Sequence, residues 1–190
     1  MKRVFVLSAS YGEGHNAAAR GLVEAINNQA GGEAAQLLDL LALSIPRRDR
    51  WSRRGYAIAI NRFPRIWSAL YCWLDRAQPF PRHLWVFRKQ EELLEQLIMD
   101  ERPHVICSTH PIFAFMVSRI VARREISLLS YNIVTDSISI NSMWWLSQCD
   151  GWFVPNEESA EVMRQAGCEE GRLHVTGFPV GSAFASDSDH

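Results

Sequence analysis

Short apolar runs separated by helical stretches set the tightest limit on what this chain can fold into. Residues 4–9 form a β-branched, aromatic-containing run closed by a glycine loop, which suits a strand buried on both faces. Beyond the loop, Ala18, Ala19, Leu22, Ala25 and Ile26 recur at helical spacing until Gly31 and Gly32 stop the pattern. Residues 34–40 suit a second strand ending at Asp39, although their Ala and Leu content leaves helix open. A helix is predicted over 86–101, with Leu93, Leu94, Leu97 and Ile98 on one face and Pro103 as the stop. A strand over 104–108, a helix over 112–124 and a strand over 127–135 follow. A strand over 151–154, a helix over 157–165 closed by Gly167, and a strand over 173–176 complete the series. Strand–helix alternation of this kind predicts an α/β fold, a Rossmann-like, open and mostly parallel sheet with helices on both faces. A length of 190 residues with 47% apolar content gives one well-cored domain.

Composition removes several alternatives. Charged residues make up 22%, with 20 basic against 21 acidic, so disorder and whole-surface nucleic-acid binding are both poor fits. Cys72, Cys107, Cys149 and Cys168 are widely scattered and form no C-x-x-C pair, and the six histidines form no H-x-x-x-H. That argues against a disulfide scaffold and a structural zinc site. The opening residues resemble a signal peptide only briefly, because their apolar core is too short. No uncharged apolar run reaches the ~18 residues of a membrane span. The expectation is a cytosolic domain over 1–180, with 181–190 a linker or tail.

In such sheets, ligands bind outside the carboxyl ends of the strands. Four segments qualify, and they carry His15, His110, Asp136 and Glu157. Gly12 and Gly14 allow close backbone approach before a helix N-terminus, whose free N–H groups favour an anion. Gly12-x-Gly14-x-x-Ala17 with Asp39 beyond also fits a loose dinucleotide fingerprint, although His15 intrudes where a small residue is usual. His15 is placed to act as a base, since the helix dipole disfavours its protonated form; a solvated histidine in a capping loop is the plainer alternative. His110 before Pro111 suits a turn that opens a helix. Asp136 suits a helix cap as well as a site. Glu157 and Glu158 stand where a helix start favours acids anyway.

Residues 46–89 are the other informative stretch. They hold 11 of the 20 basic residues against Asp49 and Asp75, and four of the seven tryptophans, among them Trp85. An apolar stripe at helical spacing includes Phe63, Trp67 and Leu70, with Arg53, Arg54, Arg62 and Arg65 beside it and Trp51 and Trp73 at its flanks. A basic, Trp-rich amphipathic helix suits an anionic membrane interface. A helix packed on the sheet with its arginines in water is the alternative, and a single-strand nucleic-acid groove fits less well.

Tyr11-Gly12-Glu13-Gly14-His15-Asn16, within the stretch from Ser8 to Ala19, resembles the N-terminal motif of the monogalactosyldiacylglycerol synthases and processive diacylglycerol glucosyltransferases. Ser108-Thr109-His110-Pro111, Val134-Thr135-Asp136 followed by Trp144, Val154-Pro155-Asn156-Glu157-Glu158 and Val175-Thr176-Gly177-Phe178-Pro179-Val180 match in the same order. The resemblance runs from the first strand to residue 180. A more distant likeness is to the lipid-linked N-acetylglucosaminyltransferase of peptidoglycan synthesis.

The resemblance implies the acceptor-binding, N-terminal half of a two-domain GT-B glycosyltransferase. Such an enzyme would move a hexose from a UDP-sugar to diacylglycerol with inversion, without a metal or other cofactor. His15 matches the family histidine proposed as base, and Asp136 an acidic residue of the acceptor pocket. Gly12, Gly14 and Asn16 match the donor-diphosphate loop, and Tyr11, His110, Asn141, Trp144 and Glu157 fall in the acceptor cleft. Asn141 stands where the plant-type pattern has a histidine, and an amide is no base near neutral pH. Residues 46–89 correspond to the segment associated with membrane and lipid contact, which implies a peripheral location on the inner face of the cell membrane. The half that supplies most of the nucleotide-sugar site is not in this chain, so transfer activity is expected to need it. A non-catalytic lipid-binding or regulatory module, and an NAD(P)-binding domain, are the competing readings.

Overall fold

The computed structural model describes residues 3–9, 13–44, 87–136 and 140–181. Residues 46–86, and with them Trp51, Arg53, Arg54, Arg62, Phe63, Arg65, Trp67 and Trp73, lie outside the described residues, as do Tyr11, Gly12 and the tail from 182.

Among the described residues, six strands form one sheet: β1 (Val4–Ser8), β2 (Ala35–Asp39), β3 (Val105–Ser108), β4 (Leu129–Ile133), β5 (Gly151–Val154) and β6 (Leu173–Val175). Their spatial order is β2-β1-β3-β4-β5-β6, and every neighbouring pair is parallel. Between them run α1 (Glu13–Ala30), α2 (Leu40–Ser44), α3 (Arg88–Glu101), α4 (Pro111–Arg124), α5 (Met143–Leu146) and α6 (Glu157–Gln165). This is the open, all-parallel Rossmann-like architecture expected for the N-terminal half of a GT-B fold.

The two-residue period of a strand divides the core. Phe5 and Leu7 of β1 join Leu38, Ile106, Leu94, Ile98, Phe113 and Ile120 in one cluster beneath α3 and α4. Val6 turns the other way, with Cys107, Ile133 and Ala19 under α1. Each large side chain sealed in this way contributes about 1.5–3 kcal/mol. A third cluster joins Val134, Trp144, Trp152, Val154, Ala160 and Met163 between the β4–β5 end of the sheet and α5 and α6.

Polar side chains set the joints. Asn27 near the end of α1 accepts from the Ala34 and Ala35 N–H groups at 2.8 and 2.7 Å and donates to the Ala35 carbonyl, which fastens the start of β2. Gly31, at φ +66°, supplies the left-handed turn that ends α1. The ambiguous stretch at 34–40 is a strand, followed at once by α2, whose Ala42 N–H is capped by Asp39 at 3.0 Å. That carboxylate therefore serves as a helix cap, which weakens the dinucleotide fingerprint that counted Asp39 as its acidic residue. Val180 and Gly181 lie across α1, where Gly21 lets them come close: a Cβ there would lie 2.8 Å from the Val180 carbonyl carbon.

Candidate active site

Because all strands run in parallel, their carboxyl ends share one edge. The chain leaves β1 for β2 on one side and returns to β3 on the other, a switch point of the kind at which such sheets form a crevice beyond their strand ends. The ends of β1 and β3 are tied together there. Thr109 donates both its N–H (2.9 Å) and its hydroxyl (3.1 Å) to the Leu7 carbonyl. Ser8 Oγ donates to Asn16 Oδ1 at 2.9 Å, which fixes the first turns of α1 to β1.

Helix α1 begins at Glu13, so Gly14 and His15 stand within its first turn rather than in a loop ahead of it. Gly14 is exposed, and none of the described residues comes within 4 Å of the Cβ it lacks. His15 is half-buried at the crevice, with its Nδ1 2.6 Å from Thr135 Oγ1. Its ring meets the His110 ring edge-on, centroids 5.1 Å apart at 61°. His110 is the N-cap of α4: its Nδ1 accepts the Ile112 N–H at 3.4 Å, and Pro111 opens the helix. The turn-forming role expected of His-Pro is therefore present, and the same ring also packs against His15.

Burial lowers the pKa of His15; the Asp136 carboxylate and the Thr109 carbonyl pull it part of the way back. His110 is pushed down to about 3, first by burial and then by the adjacent His15. Both rings are accordingly neutral near pH 7. A neutral imidazole has a lone pair to offer, and a carboxylate nearby stabilises the cation formed when a proton arrives.

Asp136 follows β4 by three residues and is held from behind. Its Oδ2 accepts the Trp144 indole N–H at 2.8 Å. Trp144 is fully buried, and its carbonyl accepts from Trp152 Nε1 (2.8 Å) and Asn132 Nδ2 (3.3 Å). The expected acceptor-cleft tryptophan thus faces the interior and orients the carboxylate instead.

A sequence model of the monogalactosyldiacylglycerol (MGDG) synthase family matches residues 15–180. The chain belongs to the MGDG synthase family. It is 24% identical to the "Uncharacterized glycosyltransferase YkoN" of Bacillus subtilis over 99% of its own length and 50% of that relative. It is 25% identical to the processive diacylglycerol beta-glucosyltransferase of Bacillus cereus over 96% of its own length and 46% of that relative, with the same figures for the enzyme of Bacillus cytotoxicus. It therefore spans about half the length of these curated relatives.

Set against the MGDG synthase resemblance, His15, His110 and Asp136 are gathered at one rim, while the other expected residues divide. Asn16 is engaged with Ser8. Asn141 is buried and its Oδ1 accepts the Met143 N–H at 2.9 Å, just before the short helix α5, whose N-cap is Ser142. Glu157 is exposed in the first turn of α6 and pairs with Arg164 at 2.6 Å, an arrangement that the bland helix-start reading covers. Two residues of the MGDG synthase motifs that were not singled out, Thr109 and Thr135, make the contacts that hold the crevice together. Their signal was present, since each stands directly beside a candidate at a strand end.

Proposed function

We propose that this chain is the acceptor-binding half of a membrane-associated glycosyltransferase that moves a hexose from a UDP-sugar to diacylglycerol with inversion. The observation that carries the reading is the neutral His15 ring at the crevice between β1 and β3, within the field of Asp136. His15 takes the proton of the acceptor hydroxyl as its oxygen attacks the anomeric carbon, and the bond from that carbon to the diphosphate oxygen breaks. Asp136 stabilises the imidazolium so formed. The N-termini of the helices along this rim offset charge growing on the departing diphosphate. The sugar nucleotide is held chiefly by the half that the curated relatives carry beyond the matched region. The basic, Trp-rich stretch at 46–89 docks the enzyme on anionic lipid at the inner face of the membrane. Among the described residues, no helix is long and apolar enough to cross a bilayer.

The test is a transfer assay with diacylglycerol in liposomes and labelled UDP-hexoses, using the two-domain enzyme. A glycolipid whose anomeric configuration is opposite to that of the donor supports the reading. Hydrolysis alone, or retention, contradicts it.

A further inference from the structure

Thr135 stands 120 residues from His15 in the sequence, yet its hydroxyl lies 2.6 Å from Nδ1 of the ring. A base must keep one nitrogen lone pair free for the substrate proton. A hydroxyl at this distance either donates to a bare Nδ1 or accepts its N–H, and only the second arrangement leaves the Nε2 lone pair free.

We propose that Thr135 is a positioning residue that accepts the His15 Nδ1–H, fixing the ring in the Nδ1-protonated form and leaving Nε2 free to take the acceptor proton. The inference rests on the base reading of His15 and adds the device that selects its tautomer. In water a histidine side chain prefers the opposite form, so the selection has to come from the protein; the hydrogen bond at one ring nitrogen sets the state of the other. Thr135 is itself well placed to do this. It follows Val134, which is buried and donates its N–H to the Phe153 carbonyl at 2.8 Å, so the backbone carrying Thr135 is tied to β5. The His15 backbone sits in the first turn of α1, and the Ser8–Asn16 bond anchors that turn to β1. Two anchored backbones hold the hydroxyl and the ring opposite each other. Among the described residues, the groups facing His15 are Thr135 and Asp136 after β4, and Thr109 and His110 after β3. His110 adds no charge near pH 7, because burial keeps it neutral.

The experiment is nitrogen-15 NMR of the histidine side chains in the intact chain, with His15 assigned by its loss in His15→Gln. Spectra are compared for the wild type, Thr135→Val and Thr135→Ser above the titration of His15. The expected result is a proton on Nδ1 in the wild type and in Thr135→Ser, and a shift to the ordinary Nε2-protonated form in Thr135→Val. A wild-type His15 protonated on Nε2 overturns the proposal, and so does a Thr135→Val tautomer that does not change. Should Thr135→Val fail to fold, the wild-type spectrum decides alone. Because this readout needs no turnover, it separates failure of the tautomer assignment from failure of the base reading.

Discussion

The indole N–H of Trp144 donates to Asp136 Oδ2 at 2.8 Å, and the same tryptophan is fully sealed from solvent. The carboxylate that biases His15 towards its charged form is thus held by the floor of the third core cluster. A side chain that sequence reasoning placed in the cleft is instead a support behind it.

Removing that support has two readouts. Trp144→Phe keeps an aromatic ring but leaves the Asp136 oxygen without its donor, and the expected loss of stability is about 1–3 kcal/mol by denaturant unfolding. The titration of His15 moves at the same time, because the carboxylate that raises its pKa is no longer fixed. An unchanged stability and an unchanged His15 titration would show that the hydrogen bond does no positioning.

Acid should destabilise the fold through the two imidazoles. Both have folded pKa values below the ordinary histidine value, so under mild acid the unfolded chain binds protons that the folded chain does not. Their stabilising effect is fully present above about pH 6.5 and falls as the pH drops towards the folded value of about 3 for His110. The slope is about 1.4 kcal/mol per pH unit for each ring that stays neutral. His110→Asn keeps a side chain able to cap α4 and should flatten the slope, as read by urea unfolding at stepped pH. An identical slope in the variant would remove His110 from the account.

Gly21 sets opposing effects against each other. Alanine in a helix interior is favoured over glycine by about 1 kcal/mol, but its methyl would lie 2.8 Å from the Val180 backbone. Overpacking of that kind costs about 1–3 kcal/mol, and backbone yields less readily than a side-chain tip. Gly21→Ala should therefore lower stability and release Val180 and Gly181 from α1, seen as faster amide exchange in that stretch. A stabilised variant with unchanged exchange would mean that the segment shifts at little cost.

Membrane docking has its own signature. Binding through the arginines and tryptophans of 46–89 should require anionic lipid in liposome sedimentation and weaken as salt rises. Equal binding to neutral liposomes, indifferent to salt, would count against the electrostatic part.

The legible parts of the fold were those with local punctuation. Strand β5 and helix α6 coincide with the predicted 151–154 and 157–165, because Gly151 opens one and Asn156 caps the other by accepting the Ser159 N–H at 2.9 Å. Sequence spacing does not show helix α5, since four residues carry no period and Asn141, which binds its first N–H, reads as a cleft residue. The strand ends pointed to the rim and to His15, His110 and Asp136. Their partners were not legible, because the His15–Thr135 contact depends on strand order across the sheet rather than on any spacing along the chain.

The central claim is that His15 removes the acceptor proton. The most direct measurement compares turnover by the two-domain enzyme with that of its His15→Ala variant, with folding checked by circular dichroism and lipid binding by sedimentation. The account expects kcat to fall by at least about 10²-fold, the usual worth of a general base, while fold and lipid binding stay intact. Turnover near that of the wild type would contradict it.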